Sequence, residues 1–367
     1  MNALRPLDIV IFGLSITSAW GNGHATTYRA LARALTQRGH RVRFFERDLP
    51  WYAHNRDLPH PQYCDVQLYS SIAGLRDYFP RDIDADLVIL GSFVPQGALL
   101  AEWLLPRAGG LTAFYDIDTP VTVAKLERGE CEYLRADLVP RFDLYLSFSA
   151  GPILKRLQGQ FGALRPRAFH CSVEPLDYFP APQRLKQYDL GYLGTYSADR
   201  QPALDRLLLE PARRWSSGRF YVAGAQYPGS LIWPPNVARS EHLAPPEHRD
   251  FYTSQRLTLN VTRADMIASG YSPSVRLFEA AACGVPILTD EWNGLGDFFR
   301  PGWEILIVRT TRDVLRCVRE MDAGLLEQIG ARARMRVLAE HTAEQRAREL
   351  EEHVRAASGV QTQVCAT

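Results

Sequence analysis

The sequence has almost no net charge, which excludes a protein that binds nucleic acid through bulk electrostatic attraction. Its 367 residues include 42 Lys and Arg against 41 Asp and Glu, a formal charge of +1. A nucleic-acid-binding domain instead carries a basic excess or stripe. Fixed-period repeats and low-complexity tracts are also missing from the sequence, and this argues against a solenoid.

Long apolar runs and paired cysteines are missing as well. The longest apolar runs, such as residues 9–14, are far too short to span a bilayer. Asp8 interrupts the apolar stretch after Arg5, so we interpret this stretch as a strand and not as a secretion signal. The six cysteines show no C-x-x-C spacing, which predicts reduced thiols, no metal site and a cytoplasmic location.

Apolar runs that alternate with helical stretches predict an open α/β sheet. Residues 7–13, 25–38 and 41–45 form a strand–helix–strand unit, with Gly39 as a left-handed helix cap. Such a unit implies a right-handed parallel crossover. Further strands are predicted at residues 87–90, 111–115, 144–148, 189–193, 220–222, 257–261 and 304–308, and a helix at 202–210.

The length and a proline-rich interruption predict two domains. Residues 171–188 contain three prolines and several polar residues, and we interpret them as the linker. We therefore predict two Rossmann-like doubly wound domains, at 1–175 and 176–330. From residue 311 the chain is helical and rich in Arg and Glu, and we expect a C-terminal helix at 331–357 that packs back across the linker.

The segment SPSVRLFEAAACGVPILTD, residues 272–290, predicts a helix followed by a short strand. Pro273 just inside the helix start, behind a serine able to cap it, leaves the first N–H groups free to face a phosphate. Glu279 would then accept hydrogen bonds from sugar or ribose hydroxyls. A diphosphate beside a polyol describes a sugar nucleotide.

Three other segments of the second domain carry candidate donor-binding residues. Gly194 and Thr195 form a tight turn before Arg200, which suits a diphosphate because a guanidinium binds two oxygens. Gly224 lies in a small-residue turn where a base could sit. Arg263 and Arg276 would face the phosphate region, although Arg276 could simply pair with Glu279 or Glu291.

Glycines and possible acid–base residues mark the first domain. The loop at 13–28 contains Gly21, Gly23, His24 and Thr26, and its spacing fits an NAD fingerprint poorly. His24 is a candidate base or a helix-entry residue without chemistry. Asp116 and Asp118 follow a strand, where they could act in acid–base chemistry or as a loop contact and a helix cap.

A run of arginines near the N-terminus admits two interpretations. Arg29, Arg33, Arg38, Arg41, Arg43 and Arg47 lie close to Trp51 and Tyr52 in the sequence. Basic residues with neighbouring aromatics occur where a protein touches an anionic membrane surface. A solvated polar face is the more common outcome, so peripheral membrane contact is the weaker of the two interpretations.

Two α/β halves, a proline-rich linker and the run PSVRLFEAAACGVP resemble bacterial GT-B glycosyltransferases, in particular the group-1-type and spore-maturation-protein-like families. The resemblance is clearest over residues 188–310. It implies two domains that face a cleft, a nucleotide-diphosphate sugar as co-substrate, no required metal or other cofactor, and a carbohydrate, lipid-linked or small-molecule acceptor.

The resemblance also implies roles for particular residues. Glu279 would hold donor hydroxyls, Ser274 and Val275 would lend N–H groups to the diphosphate, and Gly194 with Thr195 would form the facing loop. Arg263 would stabilise the leaving nucleotide, while the loop with Gly21, Gly23 and Thr26 would line the acceptor side. The resemblance further implies a hexosyltransferase that serves surface polysaccharide, glycoconjugate or secondary-metabolite synthesis.

Two questions stay open at this point. Many retaining relatives carry a glutamate eight residues before the one matched by Glu279, but this chain has Tyr271 there, so the stereochemistry is undecided. Inversion would need a base, for which Asp116, Asp118 and His24 are the candidates. A sugar-nucleotide 2-epimerase or a non-catalytic binding protein would have the same architecture.

Overall fold

The chain divides into two compact units, each built around a parallel sheet. A computed structural model describes residues 5–181 and 185–364, with side chains up to residue 359. One unit comprises Met1–Ser172 with Ala343–Thr367, and the other comprises Val173–Thr342. Residues 182–184 of the predicted linker lie outside the described residues.

Seven parallel strands form the sheet of the N-terminal unit, in the order β3-β2-β1-β4-β5-β6-β7. They are β1 (Asp8–Gly13), β2 (Arg41–Arg47), β3 (Asp65–Tyr69), β4 (Leu87–Gly91), β5 (Leu111–Asp116), β6 (Leu144–Ser147) and β7 (Pro166–Ala168). The helices are α1 (His24–Gln37), α2 (Pro50–Ala53), α3 (Gly97–Leu104), α4 (Thr119–Arg128) and α5 (Pro152–Phe161). Strands β4 and β5 are buried along their whole length, as expected for a parallel sheet covered on both faces.

Six parallel strands form the second sheet, in the order β10-β9-β8-β11-β12-β13. They are β8 (Tyr188–Leu193), β9 (Phe220–Ala223), β10 (Val237–Ser240), β11 (Gln255–Asn260), β12 (Ile287–Thr289) and β13 (Leu306–Ile307). The helices are α6 (Gln201–Leu204), α7 (Glu210–Arg214), α8 (Pro245–Thr253), α9 (Ala264–Ser269), α10 (Val275–Ala282), α11 (Leu295–Phe298), α12 (Thr311–Glu320) and α13 (Ala323–Glu340). A π-helical turn, Asp205–Leu209, joins α6 to α7.

Strand order reverses once in each sheet, and this determines where ligands bind. The reversal lies between β1 and β4 in the N-terminal unit and between β8 and β11 in the second unit. In doubly wound sheets, ligands bind at the carboxyl ends of the strands on either side of such a reversal. We therefore expect the ligand-binding residues on the loops that follow these four strands.

The predicted α/β class and doubly wound sheets are confirmed, including the left-handed conformation of Gly39, whose φ is +91°. Three strands were not anticipated: β3, β7 and β10. Strand β3 is a partly exposed edge strand with polar residues, and β7 and β10 are only three and four residues long. Such segments lack the continuous apolar run that marked the central strands.

The prediction of one C-terminal helix at residues 331–357 is wrong, because two helices share that region. Helix α13 extends to Glu340 within the second unit, and α14 (Ala343–Val364) belongs to the N-terminal unit. Arg38 anchors α14 at the end of α1, where its guanidinium pairs with Glu344 at 2.6 Å and with Glu351 at 2.5 Å. His40 Nε2 lies 2.9 Å from the same Glu351 carboxylate.

Candidate functional site

The loops after β8 and β11 meet at the strand reversal of the second unit. Gly194 and Thr195 follow β8, and Arg263 follows β11. The carboxylate of Asp199 accepts a hydrogen bond from the backbone N of Ala264 at 3.0 Å and so joins the two loops. Three of the predicted donor-binding residues therefore lie on loops that the fold brings together.

A close backbone approach between Gly194 and Gly224 joins the ends of β8 and β9. Gly224 has φ +155°, and a Cβ at this position would lie 2.0 Å from the carbonyl oxygen of Gly194. The backbone N of Gly194 donates to Ala223 O at 2.8 Å, and Tyr196 N donates to Ala225 O at 2.9 Å. Only glycine fits at position 224, so backbone atoms and not a side chain form the protein surface between these two turns.

Helix α10 begins at Val275, two residues later than predicted. Pro273 therefore lies before the helix, and the hydroxyl of Ser272 does not cap it but donates to Gly270 O at 2.9 Å. Ser274 occupies the N-cap position without a side-chain cap, because its Oγ accepts from Arg276 Nη1 at 3.1 Å. Leu277 N donates to Ser274 O at 3.0 Å, and the N–H groups before it at the start of α10 point along the helix axis, as in an anion-binding helix start.

Three arginines surround this region and repel one another. Arg200 is 6% exposed, and its Nη2 donates to Thr195 O at 2.6 Å. Among the described residues its Nε has no hydrogen-bond partner. Burial lowers the pKa of Arg200, and the nearby cations Arg276 and Arg263 lower it further. The carboxylate of Asp199 interacts with Arg200 and Arg263 and offsets part of this charge. The positive charge that remains suits a diphosphate.

Glu279 lies inside the unit, where tyrosines surround its carboxylate. It is 3% exposed, and Tyr252 OH donates to its Oε2 at 3.1 Å. Burial raises the pKa of Glu279 to about 7, while hydrogen bonds from Tyr178 and Tyr252 and the charge of Arg276 oppose the rise. His248 Nδ1 lies 4.0 Å from the same oxygen. The alternative, an ion pair of Arg276 with Glu279 or Glu291, is not formed among the described residues, and Glu291 instead pairs with Arg309 at 2.5 Å.

Asp116 is enclosed by the N-terminal unit. It is completely buried; its Oδ2 accepts from Tyr145 OH at 2.6 Å, and its Oδ1 accepts from Thr122 Oγ1 at 2.6 Å. Burial raises the pKa of Asp116 to about 6 despite these hydrogen bonds. Asp118 is at the N-cap position of α4, but its side chain makes no cap hydrogen bond. The two carboxylates therefore have different surroundings.

His24 stands at the strand reversal of the N-terminal unit, at the start of α1. It is partly exposed, and its ring centroid lies 5.6 Å from that of Phe93, which follows β4. Phe93 has φ +63°, a conformation that non-glycine residues rarely adopt and that concentrates at functional sites. Gly21 and Gly23 are exposed beside His24, and Thr26 Oγ1 donates to Gly23 O at 3.2 Å.

Glu46, an acidic residue near the position of a dinucleotide ribose, instead holds the loop after β1. Its carboxylate accepts from the backbone N of Ile16 at 2.8 Å and of Thr17 at 3.0 Å, and from the Thr17 hydroxyl at 2.6 Å. Because Glu46 is completely buried, it is committed to this loop. Glu46 is therefore a structural residue of this loop.

The N-terminal arginines bind groups of their own unit. Arg29 pairs with Asp57, Arg38 with Glu344 and Glu351, Arg41 and Arg43 with Asp8, Arg33 lies over the Tyr63 ring, and Arg47 donates to Gln96. Trp51 is 56% exposed. These contacts favour a structural role over contact with a membrane. Within residues 5–181 and 185–364, no helix is long and apolar enough to cross a bilayer.

No group of three or more His, Cys, Asp and Glu side chains is placed to hold a metal ion in the part of the chain that the structure describes. The five described cysteines are free thiols. Burial raises the pKa of the Cys283 thiol, as expected for a packing residue and not a nucleophile.

Solved structures share this fold at low sequence identity. Sucrose-phosphate synthase from Thermosynechococcus elongatus has a TM-score of 0.73 and 13% identity, covering 97% of this chain and 100% of that one. Anabaena HepE in complex with UDP and glucose has a TM-score of 0.70 and 11% identity, with coverages of 95% and 100%. An alpha-glucosyltransferase in complex with UDP-glucose and DNA has a TM-score of 0.71 and 12% identity, with the same coverages.

Residues 200–352 match the model of a family described as "Glycosyl transferase-like". The chain has the GT-B fold, and its residues 200–352 are similar to this glycosyl transferase-like family. No curated protein matches its sequence. The family match contains Arg200, Gly224, Arg263, the start of α10 and Glu279, so most candidate donor residues of this GT-B protein lie in its glycosyl transferase-like part.

The sequence did not predict the residues that surround Glu279. Tyr252 is on α8, Tyr178 precedes β8, and Glu279 is on α10. Their contact depends on how α8 and α10 pack, and no motif or spacing indicates it. The sequence did offer one indication. Glu279 stands among apolar residues of α10, and a glutamate buried on such a helix face requires polar partners.

Proposed function

We propose that the protein transfers a sugar from a nucleotide-diphosphate sugar to an acceptor hydroxyl. The observation that carries this proposal is the cluster of Arg200, Arg263 and Arg276 beside the glycine approach at the strand reversal of the second unit. Guanidinium groups and exposed backbone bind diphosphate oxygens closely. The solved structures that hold UDP or UDP-glucose in the same fold add support.

The leaving group determines what these cations do. Cleavage of the bond between the anomeric carbon and the diphosphate leaves negative charge on the nucleotide. Arg263, with Arg200 and Arg276, would stabilise that charge as it develops, together with the N–H groups at Ser274 and Val275. Preorganised donors of this kind commonly contribute several kcal/mol to catalysis.

Glu279 is proposed to bind donor hydroxyls, and its surroundings define how. Tyr252 donates to Oε2, and Tyr178 also hydrogen-bonds the carboxylate, so a donor hydroxyl would use a remaining lone pair or displace a phenol. A carboxylate with phenolic donors is fixed in one rotamer, which suits a binding group whose position matters.

The N-terminal unit is proposed to bind the acceptor with the loop of Gly21, Gly23 and Thr26. His24, Asp116 and Asp118 are the candidates for the base of an inverting reaction. Of the two carboxylates, Asp116 is completely buried against Tyr145 and Thr122. His24 is partly exposed at the strand reversal, and we therefore propose it as the first base to test.

Turnover is proposed to need no metal ion or other cofactor, because the arginine cluster supplies the positive charge that a metal would otherwise bring to the leaving diphosphate. The expected result is an unchanged initial rate after dialysis against EDTA. A rate that falls with EDTA and returns with Mg²⁺ or Mn²⁺ would contradict this part of the proposal.

The test of the proposed function is incubation of the full chain with a panel of UDP-, GDP-, ADP- and dTDP-sugars, with and without hydroxyl-bearing acceptors. Nucleotide release that rises with an acceptor supports the transferase. An isomerised donor sugar without an acceptor indicates the 2-epimerase, and binding without turnover indicates a non-catalytic protein. The cytoplasmic location and the biosynthetic role stay predictions.

A further inference from the structure

A pocket beside the arginine cluster is lined by Gln226, Tyr227, Arg239 and Glu241 and has a volume of about 410 Å³. It lies where β9 and β10 end, next to the β8 loop. Tyr227 OH donates to Gly194 O at 3.0 Å, which fixes one wall of the pocket to the glycine turn of the proposed diphosphate site.

Tyr227 connects the pocket to the proposed diphosphate site. Burial raises the pKa of its phenol, and the positive charges of Arg200, Arg276 and Arg239 oppose that rise. The first two arginines belong to the cluster, and Arg239 lines the pocket. A nucleoside diphosphate bound in the cluster therefore has a pocket beside it for its nucleoside end.

Two of the lining residues, Tyr227 and Arg239, carry planar groups, and Trp233 packs behind them. Arg239 lies over two aromatic rings, with its guanidinium carbon 4.1 Å from the ring centroid of Trp233 and 5.3 Å from that of Tyr227. The two aromatic rings are themselves 5.2 Å apart in an edge-on arrangement. Aromatic rings and guanidinium planes are the surfaces on which proteins stack nucleobases.

The polar groups of the pocket differ in what they require from a base. Glu241 only accepts hydrogen bonds, Arg239 only donates them, and Gln226 does both. Gln226 is held with φ +68°, an unfavourable conformation for a residue with a side chain. The pocket therefore has a hydrogen-bond acceptor, Glu241, and a donor, Arg239, among its lining residues.

We propose that this pocket binds guanine, with Glu241 as the residue that selects it, so that the donor is a guanosine-diphosphate sugar. Guanine offers two adjacent N–H donors, at N1 and N2, to one carboxylate, and its O6 and N7 accept from Arg239 or Gln226. Uracil has a single N–H between two carbonyl oxygens, so a carboxylate that approaches it also faces an oxygen. The proposal rests on the proposed function and makes its donor specific.

The test measures the affinity of the full chain for GDP, UDP, ADP, dTDP and inorganic pyrophosphate by titration calorimetry. We expect GDP to bind tightest, with UDP at least about tenfold weaker. Glu241→Gln keeps the size of the side chain but replaces one acceptor oxygen with a donor. It should weaken GDP binding about tenfold and leave UDP and pyrophosphate binding unchanged.

The matched control is Glu327→Gln, an exposed substitution on α13, which should leave all five affinities unchanged. UDP binding as tight as GDP binding would overturn the guanine proposal, as would a preference for GDP that survives Glu241→Gln. In both cases the proposed transferase function would stand. If no nucleotide binds, the proposed function fails and the guanine proposal fails with it.

Discussion

The Tyr252 phenol donates a 3.1 Å hydrogen bond to Oε2 of Glu279, and neither residue is more than 3% exposed. The tyrosine is on α8 and the glutamate is on α10, so the bond joins the two helices. It also stabilises the charged form of a carboxyl group whose pKa burial raises to about 7.

Replacing Tyr252 with Phe removes that donor. The pKa of Glu279 should rise further, because the charged carboxylate loses one of its hydrogen bonds. We expect the free energy of unfolding to fall by about 1 kcal/mol. The acidic limb of the pH profile of donor binding should therefore move to higher pH. Calorimetric titrations with the donor between about pH 6 and about pH 9 measure this shift.

The matched control is Tyr221→Phe, which removes a phenol that bonds Ser240 and is not near Glu279 in the hydrogen-bond network. It should leave the pH profile unchanged. An identical profile in Tyr252→Phe would contradict the role given to the phenol.

Glu279→Gln tests the raised pKa through stability. In the unfolded chain this glutamate ionises near its ordinary pKa of 4.5, whereas in the folded chain it stays protonated up to about pH 7. The wild-type protein therefore loses stability relative to the variant as the pH rises from about 4.5 to about 7, by on the order of 2 kcal/mol. Urea unfolding of both proteins at about pH 5 and about pH 8, below and above the pKa of Glu279 in the folded chain, measures this difference. A difference independent of pH would mean that Glu279 ionises normally.

Arg200→Met should separate binding from stability. The substitution removes a buried cation that Arg276 and Arg263 repel, so thermal stability should stay the same or rise. Pyrophosphate affinity should fall by about tenfold or more, because a charged hydrogen-bond donor is lost. Arg213→Met, an exposed substitution on α7, is the control for both measurements. A strong loss of stability with unchanged affinity would make Arg200 a structural residue.

Gly224→Ala tests the close approach of the two glycine turns. Its Cβ would lie 2.0 Å from Gly194 O, so the turns must separate, at a cost of about 2 kcal/mol or more. Both the melting temperature and the affinity for nucleotides should fall. Gly229→Ala is the control, because no atom of the described residues lies within 4 Å of where its Cβ would stand.

Glu351→Gln tests the anchor of α14. Hydrogen bonds from Arg38 lower the pKa of Glu351 to about 2, with His40 contributing. The stabilisation is therefore fully present above about pH 4.5 and is lost as the pH falls toward 2. At about pH 7 the free energy of unfolding of the variant should be lower than that of the wild type by about 2 kcal/mol. This difference should shrink as the pH falls, which urea unfolding at several pH values measures. Glu352→Gln, at the exposed neighbouring residue, is the control.

The fold was predictable where burial leaves a continuous apolar run. Strands β1, β4 and β5 are buried nearly throughout, and their runs were visible in the sequence. Strand β10 has one buried residue among four, so its existence depends on pairing with β9. Pairing of this kind is a tertiary property, which local composition does not contain.

The candidate site was predictable where the signal is local. Glycine turns after strands and a helix start next to arginines can be read from adjacent residues. The enclosure of Asp116 by Tyr145 and the contact of Tyr252 with Glu279 depend on packing between elements far apart in the sequence. No pattern within a single element predicts these two contacts.

Helix α14 returns to the N-terminal unit after the whole of Val173–Thr342 has been made. During synthesis the second unit is therefore complete before the N-terminal unit receives its last helix. Until then the end of α1, including Arg38 and His40, is without the carboxylates that bind it. The unit that is begun first in synthesis is thus the one whose sequence is completed last.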